Sequence, residues 1–114
     1  MRMLTKTEIL AAEDHQIEAV ACPEWGKDAG VYVRTMSARR LDRAEQEISK
    51  EDTGRAGYVA HCICDEGGTY LDWTPSEVEA LGEKAGHVLD RIVEATLRLN
   101  GRRQEDIQKL EKKS

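Results

Sequence analysis

Trp73-Thr74-Pro75-Ser76-Glu77 opens, and Leu97-Arg98-Leu99-Asn100-Gly101 closes, the stretch that decides the fold of this chain. Thr74 is placed to cap a helix, Pro75 suits the first helical position, and Glu77 completes a capping box. Asn100-Gly101 is an equally clear stop signal, because Gly tolerates the left-handed conformation that ends a helix. Between these limits the sequence predicts a first helix ending at Gly82 and a longer one from about Glu83 to Asn100. On the longer helix, Ala85, Val88, Leu89, Ile92, Val93, Ala95, Thr96, Leu97 and Leu99 cover an arc of roughly 200°. One packing neighbour does not cover so wide an arc. The helix is either the centre of the fold or partly a docking surface for another chain.

Upstream, Thr5-Lys6-Thr7-Glu8 is a second capping box, and it predicts a short N-terminal helix through Ile9-Leu10-Ala11-Ala12. Ile17 to Cys22 and Val31 to Arg34 read as two strands, separated by Pro23-Glu24-Trp25-Gly26 and a polar link. They form an expected β-hairpin, with the edge at Val31 to Arg34 exposed and available for self-association. Ser37 caps a charged helix from Ala38 to about Lys50, whose apolar positions Leu41, Ala44 and Ile48 lie on one narrow face. Arg55 to Asp65 is open between a helix and a buried strand; Tyr58/Cys62 and Val59/Ile63 at helical spacing favour the helix. Glu66 to Thr69 is a turn, and Tyr70 to Asp72 is extended. The fold class is therefore α+β and mostly helical, with a short N-terminal helix and β-hairpin followed by a helical C-terminal half. Residues 1–101 form one domain, and 102–114 a polar, helix-prone tail with Ile107 and Leu110 as its apolar anchors.

Composition narrows the function. The chain has 114 residues, a net charge of -5, and no Phe, so its core is aliphatic. Six Lys/Arg against three Asp/Glu in residues 98–114 make the tail locally basic. No run approaches the ~20 apolar residues that span a bilayer, and no signal-peptide pattern opens the chain. The acidic balance also argues against a nucleic-acid partner. An odd count of three cysteines suits a reducing compartment.

Chemistry is sparse. His61-Cys62-Ile63-Cys64-Asp65 is the one cluster that invites a metal, with Cys22 as a further thiol. Zinc sites use Cys pairs with about two to four residues between them and a second pair elsewhere; Cys62 and Cys64 are only two positions apart, which on a helix points them to different faces. These thiols read as small buried hydrophobes. No orienting group or oxyanion hole accompanies the Cys-His pair, and no phosphate loop occurs. No catalytic residue, cofactor or metal is expected.

Several stretches in order carry a resemblance: Leu4 to Asp14, Val20 to Gly26, and Val31 to Arg34 leading into Arg39 to Glu45. Cys64-Asp65-Glu66-Gly67-Gly68, Val78 to Lys84, Val88 to Ile92 and Leu97 to Gly101 follow. Together they resemble the tail assembly chaperones of long-tailed, siphovirus-type bacteriophages. The resemblance implies a small helical protein of the host bacterial cytoplasm that binds the tape measure protein, keeps it soluble and is absent from the virion. It also implies recruitment of tail tube protein, often by a longer product of ribosomal frameshifting, for which Lys112-Lys113 suits an A-rich slippery site. A homo-oligomer is compatible with this. The expected binding residues are Val88, Ile92, Val93, Leu97 and Leu99 on the long helix, with Ile107 and Leu110 in the tail. The alternative is a small helical adaptor or regulator, antitoxin-like or transcription-accessory, that uses the basic tail.

Overall fold

The computed structural model describes residues 1–51 and 53–102, without the side chains of Lys50 and Glu51. In chain order the elements are α1 (Lys6–Ala11), β1 (Ile17–Ala21), β2 (Gly30–Arg34), α2 (Ala38–Glu51), α3 (Gly54–Cys62), β3 (Ile63–Cys64), α4 (Pro75–Leu81) and α5 (Gly86–Leu99). This is the expected α+β, mostly helical class. The start signals act as read. Thr5 and Thr74 both cap through their side chains, and Glu8 and Glu77 return the bond to complete the two capping boxes. Ser37 Oγ accepts the Arg40 amide at 3.2 Å at the head of α2.

The stop signal is a Schellman motif. Gly101 adopts φ +64°, Arg102 N–H donates to Leu97 O at 2.8 Å, and Gly101 N–H donates to Arg98 O at 3.3 Å. At its other end α5 begins at Gly86, later than the expected Glu83. Glu83 and Lys84 donate instead to Ala80 O and Leu81 O as turns, and Ala85 is extended.

β1 and β2 form the antiparallel hairpin, in register from Ile17 opposite Arg34 to Ala21 opposite Gly30. The expectation of an exposed edge at Val31 to Arg34 is corrected here. β2 is the middle strand, because β3 pairs with its other side, Tyr32 opposite Cys64 and Val33 opposite Ile63. β1 is the uncovered edge. The segment left open between helix and strand is both: α3 runs to Cys62, and its C-cap residue Ile63 is already extended. Two strand residues carry too little periodicity to be seen beside a nine-residue helix.

The core is a single cluster. α5 packs on α3 and on the β1–β2 hairpin, and α3 also meets α2 and α4. Val20, on β1, and Val33, on β2, join Val88, Ile92 and Val93 of α5 in the interior. Leu41, Ala44 and Ile48 are buried, as the narrow face of α2 required. α3 is buried at Ala56, Gly57, Tyr58, Val59, Ala60 and Cys62. A helix buried nearly all round shows little amphipathic contrast.

Candidate protein-binding surfaces

Val88, Ile92, Val93 and Leu97 are buried, none above 4% exposed, and Leu99 is partly buried against the same core. Of the two readings of the wide arc, the structure adopts the central one, with α5 packed against both α3 and the hairpin. A second chain reaches these side chains only if α5 leaves the fold. Ile107 and Leu110 lie outside the described residues. Among the described residues, exposed apolar surface lies in three other places.

The first is the N-terminal arm. α1 has both ends of its capping box in place, yet none of its residues is buried. Met3, Leu4, Ile9 and Leu10 are exposed by 79%, 45%, 58% and 80%. An apolar set of this size on and just before a capped helix is unusual for a monomer surface. The arm joins β1 at His15. Arg34 Nη2 lies 2.6 Å from His15 Nδ1, while Arg34 Nη1 donates to Gly68 O at 2.5 Å. A guanidinium only donates, so His15 Nδ1 is the acceptor. Arg34 thus ties the root of the arm, the middle strand and the 65–69 turn together.

The second is the outer face of the sheet. Side chains alternate along a strand, and Val20 and Val33 are the core-facing members of β1 and β2. Ile17, Ala19, Ala21 and Tyr32 alternate with them and are exposed. The inner face is fastened to α5 at its rim: Arg98 pairs with Glu18, and Arg91 grips Glu24 through two bonds of 2.8 and 2.7 Å. Arg91 holds the Glu24 carboxyl at about 2, well below the ordinary carboxylate range.

The third is a cleft of about 730 Å³ between α2, α3, α4 and the extended segment before Thr74. Ala56, Gly57 and Ala60 form its floor on α3, and Leu71, Trp73 and Val78 form its opposite wall. Glu47, Asp72, Glu79 and Glu83 stand around it. Arg40 also lines it, but its guanidinium lies 3.5 Å over the Tyr70 ring and its Nε donates to His61 O at 2.8 Å. His61 Nε2 is 2.5 Å from Glu47. Thr53 Oγ1, His61 Nδ1 and Trp73 Nε1, all from cleft-lining residues, are buried without a hydrogen-bond partner among the described residues. Such orphans are rare in a finished interior. No local pattern marks this cleft, since Leu71, Trp73 and Val78 meet α3 only through tertiary packing.

The three thiols sit apart from these surfaces. Cys22, Cys62 and Cys64 are buried, and burial pushes each thiol up. Cys62 Sγ donates to Arg34 O at 2.9 Å. Among the described residues no three His, Cys, Asp or Glu side chains gather as a metal site. Nor is any helix among them long and apolar enough to cross a membrane.

Helices gathered on a short antiparallel sheet, with a capped helical arm left exposed, define a small α+β protein. Its fold is that of a phage tail assembly chaperone: the chain is similar to the solved structure of the bacteriophage HK97 tail assembly chaperone. The TM-score is 0.59 with 19% sequence identity, and the match covers 86% of this chain and 95% of that one. At such identity the likeness establishes the fold. No protein-family model matches the chain, and no curated protein matches it in sequence.

Proposed function

We propose that this chain is a phage tail assembly chaperone that works by binding, without catalysis, in the host bacterial cytoplasm. Its client is the tape measure protein, whose long amphipathic helices need their apolar stripes shielded until the tail tube covers them. Recruitment of tail tube protein, through a longer frameshifted product, belongs to the same reading, as does absence from the mature virion. The observation that carries it is the near full-length likeness in fold to the HK97 tail assembly chaperone. The exposed apolar arm and outer sheet face supply the kind of surface such a client needs. The client contact expected at Val88, Ile92, Val93, Leu97 and Leu99 is assigned to these exposed residues instead, because α5 is enclosed.

The test is co-expression with the tape measure protein of the same phage, scored by soluble client and by co-purification. A stable complex and a rise in soluble client are expected. If neither the chain nor a frameshifted longer product raises client solubility, the proposal is wrong.

A further inference from the structure

We propose that β1 pairs with β1 of a second copy of this chain, antiparallel about Ala19, so that two sheets join edge to edge into one. The register of the hairpin identifies the groups that are free to do this. Thr35 N–H donates to Gln16 O and Cys22 N–H donates to Ala29 O, each at 2.9 Å. Bonded and non-bonded pairs alternate along an antiparallel ladder, so Glu18 and Val20 likewise turn their backbone groups toward β2. Ile17, Ala19 and Ala21 therefore turn theirs outward. Ala21 O accepts from Arg91 Nη1 at 3.1 Å and keeps a second lone pair. The other outward groups of these residues have no partner among the described residues.

Nothing on the strand blunts this edge. Edge strands of monomers usually carry Lys, Pro or a bulge, or lie under a covering segment. β1 reads Ile-Glu-Ala-Val-Ala, and Ile17, Ala19 and Ala21 are exposed. Its one charge, Glu18, is paired with Arg98 on the inner side. The far edge of the sheet is closed, because Leu71 N–H donates to Ile63 O at 3.1 Å and Tyr70 bridges to Cys64.

Among the described residues the sheet thus has a single open edge, and that selects the occupant. An edge that meets its own copy antiparallel does so about a two-fold axis, which closes at two chains. With Ala19 opposite Ala19 of the second copy, Ile17 falls opposite the second copy's Ala21, and every outward amide meets an outward carbonyl. Only methyl side chains meet at the axis. Glu18 falls opposite the second copy's Val20, so no like charges are brought together. The exposed outer faces, with Ile17, Ala19, Ala21 and Tyr32 from each copy, merge into one apolar surface.

The test is sedimentation velocity and amide hydrogen exchange on the full chain, from about 1 μM to about 1 mM. A monomer–dimer equilibrium is expected. As the dimer fills, the Ile17, Ala19 and Ala21 amides should slow at least about tenfold, while Glu18 and Val20 stay slow throughout. Ala19→Pro removes the outward amide at the axis without touching a bond to β2. It should keep the far-UV circular dichroism and raise the dimer dissociation constant at least about tenfold. Should Ala19→Pro fail to fold, Ala19→Cys gives the second reading, since the three native thiols are buried. A short bis-maleimide should link Ala19→Cys as a dimer and leave Ala80→Cys, exposed on α4, unlinked. A monomer at every concentration, an unchanged dimer in folded Ala19→Pro, or equal linkage of the two cysteine variants would overturn the proposal. So would slowing at amides other than these three, or growth beyond two chains. Loss of the dimer in Ile9→Ser/Leu10→Ser would also overturn it, by assigning self-association to the arm. Client rescue in co-expression is a separate readout, so the chaperone reading stands or falls independently of β1.

Discussion

Asn100 Oδ1 accepts the backbone amide of Met36 at 2.6 Å, joining the end of α5 to the junction of β2 and α2 across 64 positions of sequence. The same side chain donates to Thr96 O at 2.8 Å and to Cys62 Sγ at 3.6 Å. A residue read from sequence as a helix stop is thus also the fastener of three elements. Met36 is 4% exposed, so its amide has no ready replacement partner. Asn100→Ala is expected to cost about 1–3 kcal/mol in urea unfolding. Asn100→Asp keeps the acceptor and loses both donors, so it should fall between. A wild-type midpoint for Asn100→Ala would show that the cap alone matters.

Tyr58 offers a prediction of opposite sign. Its side chain is fully buried on α3, its hydroxyl has no partner among the described residues, and burial pushes the phenol up. Removing an unsatisfied buried polar group relieves its desolvation. Tyr58→Phe should therefore be neutral or stabilise by up to about 1 kcal/mol. A clear loss of stability in the same urea assay would reveal a hydrogen bond the structure does not show.

Acid should loosen the hairpin from α5. Glu24 ionises at about 2 in the fold, chiefly because Arg91 bonds both carboxylate oxygens, against an ordinary value of 4.5. A depressed carboxyl stabilises the fold in full above the unfolded value and loses that contribution as pH falls through the folded one. The window is pH 4.5 down to about 2. Glu24→Gln should be the less stable protein above the window and converge on wild type within it. The pair is exposed, so added salt should shrink the difference. A gap that persists below the window would assign the effect to packing.

The enclosed α5 and the exposed arm separate stability from binding. Ile92→Ala removes a fully buried side chain and should cost about 2–5 kcal/mol. Val93→Asp, burying a carboxylate, should abolish the cooperative transition. Ile9→Ser/Leu10→Ser changes exposed positions and should leave thermal unfolding within about 0.5 kcal/mol of wild type, yet lower client recovery in co-expression. Full recovery with the arm variant would remove α1 from the client surface.

Local chemistry alone determined where most elements begin and end. Capping boxes at Thr5 and Thr74, the Ser37 cap and the Asn100-Gly101 stop each satisfy their own helix end within a few residues, so no distant partner is needed to read them. The hairpin was legible for the same reason, and so was the apolar face of α2. Tertiary structure decided what those elements meet. β3 is two residues long and exists only because Ile63 and Cys64 lie beside Tyr32 and Val33. That pairing turned the expected free edge into the middle of the sheet. The wide arc of α5 fixed only that its side chains leave water; whether they enter this chain's core or a partner's depends on how α3 and the hairpin fold around it. Exposure of Ile9 and Leu10, and the cleft walled by Trp73, likewise follow from which neighbours are present in space, a relation that no one-dimensional pattern encodes.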